Sequence, residues 1–384
     1  MIGIGEGTTT IGAGAIALVV AGLATAASSR PIEAEDGRFT SGPCADSGHR
    51  QFDFWLGDWV VDNRQRDPAT PDDPTLHPMG TAAARVHSIL DGCAIVEHWE
   101  GYLVPDRHVL GFSLRMFDPE TGRWRVLLNW PVPGAPSFFQ IEGSFDGDTA
   151  SFVFPRPAGG YARYRFLDTT TDRPRWEGAA AESADGPWSP FWVMRFTPRD
   201  PLSGGEPHVG PSRTTERCPD ASARAFDFLL GDWTGEEETP GASSVDEPVA
   251  RRIEVRTLSI LEGCALVDHV TVGEGEAQRK AFRVRSFLPS EDRWVQYSLT
   301  AGDGEFVRHE GDADGLVAEV VAEAVAEVEA GVAVEVAGVR DEPAVLERMR
   351  WRRTDDAGVI RETAMSEDNG ATWRMVSRAE LRRR

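Results

Sequence analysis

The sequence predicts an all-β protein made of two tandem copies of one antiparallel domain. Three observations carry that expectation. The stretch Phe52-Asp53-Phe54-Trp55-Leu56-Gly57-Asp58-Trp59 returns as Phe226-Asp227-Phe228-Leu229-Leu230-Gly231-Asp232-Trp233, each time eight residues after a cysteine, Cys44 and Cys218. An internal repeat means that one structural plan is used twice. Short runs alternate apolar with polar residues between turns rich in Gly, Asp and Pro, which is the period of half-buried strands. Beyond the first 30 residues, no long stretch reads clearly as helix. Roughly eight or more short strands per repeat, joined by tight turns, make a barrel or a sandwich.

Four segments follow: 1–43, an apolar leader and extension; 44–198, the first repeat; 199–217, a linker; and 218–384, the second repeat. In the leader, Ile11 to Ala27 is apolar and Ala24-Thr25-Ala26 has the form of a signal-peptidase site. No Lys or Arg precedes the apolar run and Glu6 does, so the signal is atypical. An exported protein is expected, with an uncleaved anchor or an unstructured extension as the alternatives.

Each repeat opens at its cysteine and enters a strand through the Phe-Asp-Phe stretch. In the first, Asp62 to Pro78 reads as a Pro- and Asp-rich loop. Next come Ile89-Leu90-Asp91-Gly92-Cys93-Ala94-Ile95-Val96-Glu97-His98-Trp99 and its twin, Ile260-Leu261-Glu262-Gly263-Cys264-Ala265-Leu266-Val267-Asp268-His269-Val270. Asp91-Gly92 and Glu262-Gly263, between strand-like runs, are hairpin signals. Leu110 to Trp130 and Ala281 to Leu299 both read strand, turn, strand, and Tyr161 to Leu167 alternates cleanly. Leu316 to Val339 is a Val/Ala/Glu run that is apolar at every even position from 316 to 336. That favours an extended hairpin, although Glu319, Glu323 and Glu327 also suit a helix. Ser366-Glu367-Asp368-Asn369-Gly370-Ala371-Thr372-Trp373 has the chemistry of a hairpin corner.

A net charge of −22 over 384 residues repels phosphate backbones and anionic lipid, so neither nucleic acid nor an anionic membrane surface is an expected partner. Cys44 with Cys93 and Cys218 with Cys264 hold matching positions, which suggests one bridge per repeat, closing loops of about 48 and 45 residues. Four reduced, buried thiols are the alternative. The spacing does not suit a metal, and no metal site is expected.

The repeated acid/base pair is Glu97-His98, matched by Asp268-His269. Side chains alternate along a strand, so one member of each pair faces into its domain and the other outward. A carboxylate in an apolar interior acquires a raised pKa and can move protons. The bland alternative has Glu97 bonded to an interior Arg or Tyr and His98 at the surface. Trp99 and Tyr102 put aromatics beside the first pair, which favours the first repeat as the functional one. No nucleophile elbow or phosphate loop is present, and Asp312-Ala313-Asp314-Gly315 suits a hairpin turn better than a calcium loop.

In order, F-D-F-x-x-G-x-W, G-C-A-x-x-E, F-D-P-x-T-G-R-W (Phe117 to Trp124) and S-x-D-x-G-x-T-W resemble the DUF1579 family of bacterial lipocalin-like, or calycin, proteins. Domain 1 keeps the third motif and has a degraded fourth; domain 2 keeps the fourth and loses the third. The resemblance implies two tandem calycin-like barrels, each with a mouth for a small ligand, and no particular reaction. Gly57-Asp58-Trp59 and Gly231-Asp232-Trp233 look like the lipocalin G-x-W signature, whose Trp closes the barrel floor beneath an Arg of the last strand. By position these arginines are Arg195 for Trp59, and Arg378 or Arg382 for Trp233. Gly231 to Gly235 is also similar to nitrobindin-like haem barrels, which hold iron through a late His. Here no histidine follows His309, so haem is not expected, nor any other cofactor.

The function expected from these readings is binding of a small apolar or amphipathic molecule in one or both barrels. Two rivals stand beside it. One is a calycin-type isomerase, cyclase or hydratase using Glu97/His98 or Asp268/His269. The other is a structural module whose acidic face meets a protein partner.

Overall fold

The computed structural model describes residues 44–384 apart from 68, 71–72, 105–106, 131–136, 200–209, 212–217, 219, 242–246, 321–344 and 355–356. The leader, most of the linker and most of the Val/Ala/Glu run lie outside the described residues.

The chain forms two closed antiparallel barrels of ten strands each, more than the roughly eight of a small barrel. The first comprises β1 (Gly57–Arg66), β2 (Leu76–Ile89), β3 (Ala94–Val104), β4 (Arg107–Asp118), β5 (Arg123–Trp130), β6 (Ser137–Asp146), β7 (Thr149–Pro155), β8 (Tyr161–Leu167), β9 (Arg175–Ala181) and β10 (Ser189–Pro198). The second comprises β11 (Gly231–Thr239), β12 (Val249–Ile260), β13 (Ala265–Val272), β14 (Arg279–Leu288), β15 (Arg293–Thr300), β16 (Val307–Asp312), β17 (Gly315–Val320), β18 (Val345–Arg353), β19 (Val359–Ser366) and β20 (Arg374–Arg383). Each strand pairs with its sequence neighbours, and the first closes on the last. No edge is left open in either sheet.

The Phe-Asp-Phe stretch differs from its sequence reading. Asp53–Trp55 and Asp227–Leu229 are 3-10 turns, and the strands begin only at the following glycine. The aromatic run is therefore a plug across the barrel end: Phe52, Trp55 and Phe226 are fully buried. The Asp62–Pro78 loop is shorter than expected, because β1 stays paired with β2 out to Arg66. Arg66 also donates hydrogen bonds to Ser189 and Pro190 of β10.

The floor tryptophans Trp59 and Trp233 donate their indole N–H to the carbonyls of Trp55 and Leu229. The arginine assigned to them from sequence is corrected. Arg195 is exposed on the outer face, opposite Asp62, and Arg378 pairs opposite Glu238. Arg383, opposite Trp233 in the register, lies 5.1 Å from its ring, while the first barrel has Pro198 in that place. Arg382, the other residue assigned to Trp233, stands opposite Thr234, one position before Arg383.

Both disulfides are present, Cys44–Cys93 and Cys218–Cys264, and each ties the segment before the plug to the start of the third strand of its barrel. At the corner 366–373, Asp368 accepts hydrogen bonds from the backbone N–H and hydroxyl of Thr372, and Gly370 supplies a φ of +86°. Asp312 likewise accepts the N–H groups of Asp314 and Gly315 in a hairpin turn.

The barrels pack through equivalent faces. One apolar cluster joins Val96, Phe112, Leu114 and Leu127 of the first to Val267, Phe282, Val284 and Leu299 of the second. The 90–92 turn rests on β14 and the 261–263 turn rests on β4, so the contact is reciprocal, as in a two-fold dimer. Lys280 of the second barrel pairs with Asp91 of the first.

Candidate functional site

The site follows from which side chains point inward. On β3 and β4 of the first barrel, Glu97 stands opposite Ser113. Arg115 lies two residues further and so shares their face. The Ser113 hydroxyl donates to Glu97 Oε2 at 2.6 Å, and Arg115 Nη1 donates to Ser113 Oγ at 2.6 Å. Arg115 Nη1 and Glu97 Oε2 are 3.8 Å apart. The guanidinium lies 4.2 Å from the Trp55 ring. Burial pushes the Glu97 carboxyl up, opposed by Arg115 and by the Ser113 hydrogen bond. Burial lowers Arg115 to about 10, so it stays charged at neutral pH.

Above this polar base stands a collar of indoles. Trp99 meets Trp192 edge-on at 5.8 Å, and Trp192 meets Trp176 at 5.3 Å. Glycines make room for two of these rings: a Cβ on Gly101 would lie 2.6 Å from Trp99, and one on Gly178 would lie 2.9 Å from Trp176. Base and collar enclose a cavity of about 80 Å³ that also meets Phe152 and Tyr164. At the rim, Trp192 donates to Asn63, and Asn63 donates to the carbonyl of Tyr102.

The sequence-derived residues therefore separate. Glu97 and Trp99 line the cavity. Tyr102 is 38% exposed, packed on His108, and outside the lining. His98 points the other way, into the inter-barrel contact, where it stacks on His87 at 5.6 Å and packs against Phe112. Neither the expectation of a surface His98 nor that of a ligand contact fits this placement. His269 is its counterpart, packed edge-on to Phe282 at 4.9 Å. Glu97 and His98 thus face separate compartments and cannot act on one substrate as acid and base.

The second barrel repeats the base and fills the space above it. Asp268 accepts from Thr257 Oγ1 at 2.9 Å and from Arg285 Nη2 at 3.0 Å. Arg285 stacks on Trp351 and also donates to Gln296. Arg283 takes the place of Ser113, since both stand opposite the repeated carboxylate. Arg361 pairs with Glu237, and the buried His309 bonds Glu347 at 3.1 Å. What remains is a cavity of about 10 Å³, room for a single water. Among the described residues, no cluster of three His, Cys, Asp or Glu is placed to hold a metal ion.

Sequence reasoning missed Ser113, Arg115 and Arg285. Their signal was arginine inside a largely apolar strand, one in Leu110 to Phe117 and two, Arg283 and Arg285, in Ala281 to Leu288. A charge at a buried strand position needs a partner, and the repeated carboxylate supplies it.

No protein-family model matches the chain, and no curated protein matches it. Among solved structures, it is similar to a protein of unknown function from the DUF3598 family of Nostoc punctiforme. That match has 13% identity over 88% of this chain and 100% of the other, with a TM-score of 0.24. A similarity at that level leaves the function to the geometry of the site.

Proposed function

We propose that the protein binds a small apolar or amphipathic molecule in its first barrel, while the second barrel serves as a packed scaffold. The observation that carries this is the contrast between two copies of one plan: about 80 Å³ in the first and about 10 Å³ in the second. Sites for small molecules are concave, mostly aromatic and apolar, with a few fixed polar groups, and the base and collar of the first barrel have that composition. Export is part of the reading, supported by two disulfides that persist in oxidising compartments. The ordered motifs support placing both repeats with DUF1579-like domains.

Catalysis is the second reading, and one feature favours it. Glu97 lines the cavity with a carboxyl raised by burial, as a proton donor or acceptor requires. In that reading Glu97 works with Ser113 and Arg115 rather than with His98.

The test is native mass spectrometry of the full chain from an exporting host, followed by denaturation and identification of any released molecule. A released lipid, pigment or polyketide supports binding. An apo mass that stays unchanged across a screen of apolar compounds would overturn the proposal.

A further inference from the structure

Resting on the reading of the first barrel as a binding site, we infer the class of ligand: a neutral alcohol or phenol whose hydroxyl donates to Glu97 Oε1 and whose alicyclic or aromatic body lies against Trp99, Trp176 and Trp192.

The first argument compares the two copies of the repeated carboxylate. In the second barrel both oxygens of Asp268 are engaged: Oδ1 takes the Thr257 hydroxyl and Oδ2 takes Arg285 Nη2. In the first, Ser113 donates to Glu97 Oε2, and Oε1 has no donor among the described residues. The register gives the reason. Thr257 of β12 stands opposite Asp268, whereas the residue of β2 opposite Glu97 is Val86, whose side chain has no polar hydrogen to give. A desolvated carboxylate oxygen without a donor is costly, so a ligand that brings one gains more here than a ligand that does not.

The second argument is access. Glu97 lines the cavity, and 11% of its side-chain surface is open. The unpartnered nitrogens of the same wall differ in this respect. Arg115 Nε, Trp55 Nε1 and Trp99 Nε1 each expose less than 1 Å², so a molecule in the cavity cannot reach them; Glu97 Oε1 is not sealed in that way.

The third argument is charge. Arg115 Nη1 lies 3.8 Å from Glu97 Oε2 and already balances the carboxylate. An ammonium head would add a second cation to this buried pair, and a carboxylate head would add a second anion with no proton to give. A hydroxyl supplies the donor without changing the charge. Size sets the rest. A cavity of about 80 Å³ is roughly half the one of about 150 Å³ that holds benzene, so it takes the hydroxyl and part of a ring rather than a large whole molecule.

The experiment titrates the ¹⁵N-labelled full chain at pH 8 with cyclopentanol, cyclopentanone and cyclopentylammonium. The indole N–H signals of Trp99, Trp176 and Trp192 report binding in the first barrel. The probes share one ring and differ at the head, which is a neutral donor, an acceptor alone or a cationic donor. Cyclopentanol is expected to bind about tenfold tighter than cyclopentanone, the worth of one net hydrogen bond. Glu97→Gln should abolish that preference. Ser113 accepts from Arg115 and must still donate, so it holds the amide oxygen and leaves the amide NH2 in the open position. If the variant does not fold, the comparison in the unaltered protein decides. Equal affinity for the alcohol and the ketone, or a preference that survives Glu97→Gln, overturns the donor head and leaves the barrel a binding site. Tightest binding of cyclopentylammonium overturns the neutral class. If none of the three probes moves those indole signals, this inference and the binding reading on which it rests both fall.

Discussion

Trp176 and Arg361 occupy the same place in the two barrels: each is paired across the sheet with an aromatic that the buried arginine lies over. Trp176 stands opposite Phe166, which lies 5.5 Å from Arg115; Arg361 stands opposite Trp351, which lies 4.6 Å from Arg285. An indole leaves its neighbours apolar and leaves space beside its edge. A guanidinium demands a counter-charge, and Glu237 fills the position that Asn63 holds in the first barrel. One change of residue class thus brings a second with it, and together they close the second interior.

Removing one member of that pair should cost more than removing both. Arg361→Met leaves Glu237 inside without its partner, an expected loss of about 3–5 kcal/mol. Arg361→Met with Glu237→Leu should recover most of it. Urea unfolding of the full chain measures both. A double variant no more stable than the single would show that the pair is not the source of the loss.

Filling the first cavity should separate binding from stability. Leu128 lines it, and Leu128→Phe adds bulk where there is space. Extra volume in a well-packed core typically costs about 1–3 kcal/mol, whereas here the melting temperature should hold within a few degrees. Affinity for a ligand identified by native mass spectrometry should fall at least about tenfold. Unchanged affinity would put the ligand elsewhere.

Glu97 gives a pH signature of definite sign. Its folded pKa is raised above the ordinary 4.5 by burial. Above pH 4.5 the unfolded chain has lost this proton while the folded chain still holds it. Its contribution is therefore complete below pH 4.5 and is lost as pH rises through the folded pKa. Glu97→Gln, which cannot ionise, should lack this slope. The difference in unfolding free energy between the two proteins, measured from pH 4 to 8, should move in favour of the variant as pH rises. A flat difference would mean that Glu97 is not desolvated.

The repeat, the strand runs, both bridges and the corner at Asp368 were legible because each is written locally: a motif, a period of two, a pair of cysteines, a run of turn residues. The direction of Glu97 was not. Alternation places Glu97 and His98 on opposite faces, but Val96 and His98 are also buried, by the other barrel. With both faces dry, no polar side marks the outside. The cavity was illegible for a different reason. Its volume is set jointly by residues on strands far apart in sequence, such as Trp99, Phe152, Trp176 and Trp192, and no single stretch encodes that sum.

The inter-barrel contact should weaken in acid through its histidines. Burial lowers His87 and His269 to about 4, and it lowers His98 well below 6.5, with His87, Arg85 and His269 adding repulsion. The charged groups facing the set are Arg85 and Arg256, with Asp58 and Asp268 only partly offsetting them. Below pH 6.5 the unfolded chain takes up protons that the folded chain refuses, at His87 and His269 until near pH 4. Stability therefore falls as pH drops across that window, by on the order of 2–3 kcal/mol for each of His87 and His269 at its lower end, with His98 acting in the same direction. Glu97 acts in the opposite direction there, so the histidine part must be read as a difference between proteins. His87→Gln, His98→Gln and His269→Gln combined should flatten the acid limb of a urea-unfolding profile while costing little at pH 7.5, where all three are neutral in both states. An acid limb that is equally steep in the triple variant would place the loss at other groups and leave the three histidines as packing alone.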